Sequence, residues 1–329
     1  MKETLWPGVA LHVVSGKGGT GKTTVAAALA LALAHAGKRT LLMEVEGRQG
    51  IAQIFDTPPL PYQETRIAVA PGGGEVWALA LDAQEALLDY LDVFYNLRRA
   101  GSVLRRMGAI DFATTIAPGL RDVLLTGKAC EVIRRMDKSA TNSYSAVVLD
   151  APPTGRITRF LNVNSEVSGL AKVGPIRKHA DMVMSVMSSP RTAVHLVTLL
   201  EEMPVQESID AVAELQDAKL PIGGLFVNMT REPMLTPTQL EQARSGLLST
   251  SGIERSLAEA GLPDPQGVIL AALTREAEDH ASRVDLEARE RARLATLGLP
   301  TFTLPLLPGG IDLGGLYELA ELAREEGIR

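Results

Sequence analysis

Short apolar, β-branched runs alternate with longer helical patterns along most of this chain. Val9-Ala10-Leu11-His12-Val13-Val14 reads as a buried strand. Thr24 to Ala36 is rich in alanine and leucine and predicts a helix, with Gly37 placed to cap it. Arg39 to Glu46 predicts a second strand and Val76 to Leu81 a third. Val147 to Asp150, Val194 to Thr198 and Ile222 to Asn228 predict three more, and Thr301 to Leu304 closes the set. Helical patterns separate most of them, which is how βαβ units around a mostly parallel sheet are written. Pro71-Gly72-Gly73-Gly74 is the strongest turn signal. The stretch 83–140 is helical without an obvious strand; Leu87, Leu91, Phe94 and Arg98 form an apolar stripe that ends in charge. No repeat, low-complexity tract or linker interrupts the pattern, so residues 1–329 are expected to form one α/β domain. The stretches 83–140 and 162–190 are expected to form a helical subdomain within it.

Composition narrows the class. A chain of 329 residues with 46% hydrophobic and 22% charged residues is ordinary for a soluble globular protein. Lys and Arg total 33 against 39 Asp and Glu, a net charge of −6, which argues against wholesale nucleic-acid binding. Met1 to Gly8 has no apolar core of a signal peptide, and the longest apolar run, Val25 to Ala34, is ten residues and too short to span a bilayer. A cytoplasmic protein is expected, at most a peripheral visitor to membranes. Cys130 is the sole cysteine, so one chain can build neither an internal disulfide nor a cysteine-based zinc cluster; it reads as a small hydrophobe on a helix face.

The chemistry is written most clearly between the first strand and the first helix. Gly16-Lys17-Gly18-Gly19-Thr20-Gly21-Lys22-Thr23 satisfies the phosphate-binding loop rule. Its glycines let backbone N–H groups turn inward around phosphate oxygens, and the helix start, with Thr24, adds partial positive charge. Lys22 is expected to reach the β- and γ-phosphates of ATP, and Thr23 to ligate Mg²⁺. The fold expected is therefore a P-loop NTPase: a mostly parallel central sheet flanked by helices, with the helical subdomain near the nucleotide edge.

Two acidic motifs follow. Asp150 ends a buried strand and precedes Ala151-Pro152-Pro153-Thr154-Gly155-Arg156, where the chain must turn. That placement suits an acid holding Mg²⁺ or its water, on a loop able to change shape on hydrolysis. Glu44 and Glu46 alternate at the end of the second strand, which puts both carboxylates on one face. One could orient or deprotonate the attacking water and the other hold a metal-bound water. His12 and His195 lie in predicted strands and read as packed or hydrogen-bonded. Ser15 and Thr154 read as phosphate or cap residues, because no base is placed beside them.

The chain resembles the ArsA-type family of P-loop ATPases, which includes arsenite-pump ATPases and targeting ATPases for tail-anchored membrane proteins; the actinobacterial-type members are the nearest in pattern. The resemblance runs through Ser15 to Thr24, Leu41 to Phe55, Asp150 to Leu161, Leu196 to Ser208, Val227-Asn228 and Leu304 to Leu316. It implies that Lys17 crosses a dimer interface to the partner's nucleotide, where it neutralises developing charge. It also implies a catalytic acid at Glu46, a switch aspartate at Asp150, adenine recognition by Asn228, and base enclosure by the loop from Pro305 to Ile311.

Three departures shape the expectation. Glu46 stands where the family usually has aspartate, one methylene shorter, so slow hydrolysis is expected. With Cys130 alone, neither the arsenite-binding cysteines nor the zinc-sharing Cys-x-x-Cys of the family is present, and a bridging iron–sulfur cluster has too few ligands. A single P-loop implies that two chains supply two sites, as a homodimer or with a paralogous ATPase. The leading expectation is a dimeric, Mg²⁺-dependent ATPase acting as a conformational switch on a protein client or membrane partner. A nucleotide-gated scaffold with little turnover is the alternative, and a partition-type ATPase a weaker one. Met182, Met184 and Met187 could line an adaptable client groove, with ordinary core packing the competing reading. Arg98-Arg99, Arg105-Arg106 and Arg134-Arg135 could be solvated faces or a partner surface.

Overall fold

A computed structural model describes residues 5–95, 118–138, 143–162, 175–262, 264 and 266–328. Its centre is an eight-stranded sheet in the order β3-β4-β2-β5-β1-β6-β7-β8. The strands are β1 (Leu11–Gly16), β2 (Arg39–Glu44), β3 (Thr65–Ala70), β4 (Gly74–Ala80), β5 (Ala146–Asp150), β6 (Thr192–Thr198), β7 (Ile222–Thr230) and β8 (Thr301–Pro305). Every pairing is parallel except β3 with β4. This is the α/β architecture of a P-loop NTPase. The chain leaves β1 toward β2 on one side and leaves β6 toward β7 on the other. The carboxyl ends of β1 and β6 therefore flank a crevice where ligands of open α/β sheets bind.

Alternation along the central strands splits the core in two. Val13, Leu41, Met43, Val147 and Leu149 face one layer, and Val14, Leu42 and Val148 the other. The first layer is covered by α4 (Pro118–Lys138), α5 (Thr154–Leu161), α6 (Pro175–Met187) and α7 (Glu202–Asp217). The second is covered by α1 (Lys22–Leu33), α2 (Gly50–Ile54) and α11 (Leu313–Glu325). After its polar first turn α1 is apolar and buried from Val25 to Leu33, as a helix packed on the sheet and against α11 must be. Helix α3 (Ala83–Tyr95) packs on α4, while α8 (Pro237–Arg244), α9 (Thr250–Glu259) and α10 (Val268–Ala295) fill the long connection from β7 to β8.

Three expectations are corrected. Thr65–Ala70 is a strand, antiparallel to β4 across the Pro71–Gly74 turn, where Gly72 and Gly73 are both left-handed. Only Ala70 of that strand is fully buried, because it lies at the sheet edge, so no clean alternation marks it. Helix α1 stops at Leu33, short of Gly37. The hairpin turn abuts its end: a Cβ on Gly74 would lie 1.6 Å from the Ala34 carbonyl oxygen. Strand β2 ends at Glu44, so Glu46 lies beyond it in a bend.

In the stripe on α3, Leu87 is buried and Leu91 half-buried. The Phe94 side chain and Arg98, Arg99, Arg105 and Arg106 lie outside the described residues. Among the described residues no helix is long and apolar enough to cross a membrane.

Candidate functional site

Gly16 ends β1 opposite Val197 of β6. A Cβ there would fall 2.2 Å from the Val197 carbonyl oxygen and 2.9 Å from Thr20 Oγ1, so the loop can begin only with glycine. The buried Thr20 hydroxyl donates to the Lys17 carbonyl at 2.9 Å and closes the turn. Gly19 and Gly21 hold φ of +87° and +83°, which aims the intervening backbone inward. Gly21 is also the N-cap of α1 and no side chain caps the helix, so its first amides remain available to an anion. Gly18 is exposed, and Lys22, Thr23 and Thr24 are half-buried on the first turn of α1.

The parallel register brings the acidic motif to this loop. Asp150 lies beside Val14 on one side and Glu44 on the other. Thr23 Oγ1 donates to Asp150 Oδ2 at 2.8 Å. Burial pushes the Asp150 carboxyl up to about 6; the Thr23 bond and the Lys22 charge oppose this, and Glu44 and Glu46 add to it. Burial lowers Lys22 in turn, against the raising charges of Asp150 and Glu46. A hydroxyl and a carboxylate joined at the mouth of a glycine cradle are hard oxygen donors of the kind Mg²⁺ takes beside phosphates, so these residues fit the ion.

Glu44 and Glu46 separate. Glu44 is buried, and its two carboxylate oxygens each accept a backbone N–H of α2, from Gly50 and Ile51, at 3.3 Å. It ties the start of α2 to the end of β2, and a Cβ on Gly50 would lie 3.3 Å from the Thr23 methyl of the P-loop helix. Glu46 is half-buried, pairs with Arg48 at 3.4 Å and borders a cavity of about 130 Å³ walled also by Val45, Asp122, Pro152 and Arg156. Of the two acids, Glu46 is the one with room for water beside it.

Asn228, at the carboxyl end of β7, donates its side-chain amide to the Thr20 carbonyl at 2.9 Å and is buried under the loop. Pro305 ends β8 opposite Thr230, and the following Leu306 N–H donates to the Thr230 carbonyl at 2.8 Å. Both therefore sit on the strands that wall the P-loop side of the sheet. Lys17 forms an ion pair with Glu207 of α7, and Thr154 Oγ1 donates to the same carboxylate at 3.1 Å. Ser15 Oγ donates to the Pro152 carbonyl at 2.6 Å. Sequence reasoning assigned nothing to Glu207, because a helix surface acid gives no local signal of a partner 190 positions away.

Elsewhere the plainer readings hold. His12 Nδ1 and His195 Nε2 are 3.0 Å apart in the core, the rings stacked beneath Trp6. Cys130 is buried on α4, and burial pushes its thiol up to about 12. Val183 and Met187 are core, with Met182 and Met184 half-buried against it. Arg135 pairs with Glu64. No metal-competent cluster of His, Cys, Asp or Glu occurs among the described residues.

A glycine loop between a central parallel strand and an apolar helix, with a strand-end aspartate bonded to the loop's threonine, defines a P-loop NTPase. Residues 10–190, more than half of the chain, match the model of the anion-transporting ATPase family. The chain is 52% identical over 328 residues to ATPase BagA of Mycobacterium tuberculosis, covering 98% of this chain and 96% of that protein. It is 28% identical over 229 residues to the arsenical pump-driving ATPase of Escherichia coli, covering 64% of this chain and 36% of the pump ATPase. It is also 28% identical over 177 residues to ATPase GET3 of Kluyveromyces lactis, half of each chain. The protein belongs to the anion-transporting, ArsA-type ATPase family.

Proposed function

We propose that this protein is a dimeric, Mg²⁺-dependent ATPase that uses nucleotide as a conformational switch. The observation that carries this reading is the bond from Thr23 to Asp150 at the mouth of the glycine loop, with Lys22 beside it. Lys22 and the loop amides would hold the phosphates, and Asn228 would hold the loop that carries them. Mg²⁺, held by Thr23 and Asp150 with Glu44 behind them, would supply charge neutralisation for the transferred phosphoryl group. Glu46 would orient the attacking water and take its proton. The new P–O bond to water then replaces the bond to the β-phosphate oxygen, leaving ADP and phosphate. Lys17 would serve the site of a second chain, this one or a paralogue, where its charge stabilises the transition state.

The switch loops connect to helices that could pass the change on. Pro152 leads into α5, which begins at Thr154 and packs against α4 and α7. A cleft of about 350 Å³ lies among α3, α4 and α6, lined in part by Tyr90, Leu124, His179 and Met182. We assign the client-facing role to this helical subdomain. A relative named for driving a pump suggests that the change is handed to another protein, a client or membrane partner, met in the cytoplasm. The buried, unreactive Cys130 argues against arsenite as the effector.

The deciding test is Mg²⁺-dependent ATP hydrolysis by wild type beside Lys17→Ala. Turnover in wild type that falls at least tenfold in Lys17→Ala, with ATP still bound, is expected. ATP bound without turnover in either would replace this reading with a nucleotide-gated scaffold.

A further inference from the structure

One carboxylate holds both the P-loop lysine and the loop that follows Asp150. Glu207 Oε1 accepts from Lys17 Nζ, and Glu207 Oε2 accepts from Thr154 Oγ1 at 3.1 Å. The two donors belong to the loops that Ser15–Pro152 and Thr23–Asp150 already join. Glu207 adds a third point, and it stands on a fixed base: its neighbours Val205 and Ser208, and Ala211, Val212 and Leu215 beyond, bury α7 against the sheet. Lys17 sits instead in a loop whose next two residues are exposed glycines. In this pair the carboxylate stands on a packed helix and the ammonium on the glycine loop.

The strength of the pair suits a resting place. Lys17 and Glu207 are 31% and 35% exposed, so water and salt screen the attraction. Ion pairs in such settings bias a population by about fivefold at most. A multiply charged phosphate chain offers Lys17 a larger attraction than one carboxylate does. The lysine cannot serve both at once.

We propose that Glu207 is a positioning residue for Lys17: it holds the lysine against its own chain and yields it to the phosphates of a partner chain as the dimer closes. Thr154 makes the release sensitive to the loop after Asp150, since that loop and Lys17 share one acceptor. The inference rests on the trans-acting lysine proposed above. Glu207 then governs how readily the dimer assembles and leaves the chemical step alone.

The test has two arms. In the first, amine-selective labelling of Lys17 is followed by mass spectrometry on the protein without nucleotide. Glu207→Gln, which keeps an acceptor for Thr154 but removes the charge, should raise Lys17 labelling about fivefold. Glu207→Asp, which keeps the charge, should stay near wild type. Wild type moved from about 0.05 to about 0.5 M NaCl should also rise, with no substitution needed. In the second arm, dimer mass and turnover are followed against ATP concentration. Glu207→Gln should lower the half-maximal ATP about fivefold with kcat unchanged, and Lys17→Ala should erase that shift in the double variant. Equal labelling in wild type and Glu207→Gln overturns the proposal. So does raised labelling with an unchanged ATP requirement, or a lowered kcat. Undiminished turnover in Lys17→Ala is a separate result: it removes the trans-acting lysine and the gating with it, while the labelling arm still reports whether the cis pair exists.

Discussion

Asn228 shows how one side chain can brace a loop from a distant strand. Its amide satisfies the Thr20 carbonyl, which would otherwise be a buried orphan costing about 1–3 kcal/mol, and so pins the glycine loop to β7. Glu46 is a different case, placed by a bend after β2, beside a cavity with room for several waters and within electrostatic reach of Lys22. If it is the base, Glu46→Gln should lower turnover more than tenfold with ATP binding kept. Glu46→Asp should raise it, because the shorter acid matches the family's usual residue; steady-state hydrolysis of the three proteins checks both. The His12–His195 pair makes a pH prediction. Burial lowers His12 to about 3 and His195 well below its ordinary 6.5. Between about pH 3 and 6.5 the unfolded chain therefore binds protons that the folded chain refuses. Stability is full above 6.5 and falls as pH drops through that window, by up to about 1.4 kcal/mol per pH unit for His12, and His195 acts in the same direction. His195→Gln keeps a partner for His12 Nδ1 and should flatten that slope. Urea unfolding at pH 7, 6 and 5 reads it, and an unchanged slope would mean that the pair does not titrate this way.

At the scale of elements, one close joint lies between the β3–β4 hairpin and the end of α1. A methyl on Gly74 would strike the Ala34 and Lys38 carbonyl oxygens, both backbone, at 1.6 and 2.7 Å. A methyl on the adjacent Gly73 would meet nothing, and its cost is only the left-handed φ of +84°. Gly74→Ala should therefore cost about 2–4 kcal/mol and Gly73→Ala about 1–2 kcal/mol. Chemical denaturation of both variants checks the order. The same joint explains why the helix was overrun by its sequence pattern: alanine and histidine at 34–36 are acceptable helix formers, but packing against Gly72 and Gly74 requires the chain to turn there, with Ala36 and Gly37 left-handed.

At the scale of the whole molecule, the site stands at the carboxyl edge where β1, β2, β5 and β7 deliver Gly16, Glu44, Asp150 and Asn228. One chain supplies one such site and one Lys17, so the proposed trans chemistry requires two chains. Light scattering should show the mass doubling with ATP and Mg²⁺ and returning to monomer when Mg²⁺ is chelated. A mass that stays monomeric until a paralogous ATPase is added would identify a heterodimer.

The sequence by itself determined the P-loop, the strand-end aspartate and the parallel α/β class. Those signals are local: a glycine spacing, a buried apolar run and an acid at its end depend on neighbours in the chain. Only the tertiary structure decided that Glu44 caps α2 while Glu46 borders a cavity, because a strand's end is set by what packs beyond it. It also decided that Asn228 serves the loop backbone and that Glu207 meets Lys17, contacts 208 and 190 positions apart. Such pairs arise from strand order and helix packing, and no periodicity along the chain encodes which polar side chain will lie opposite which.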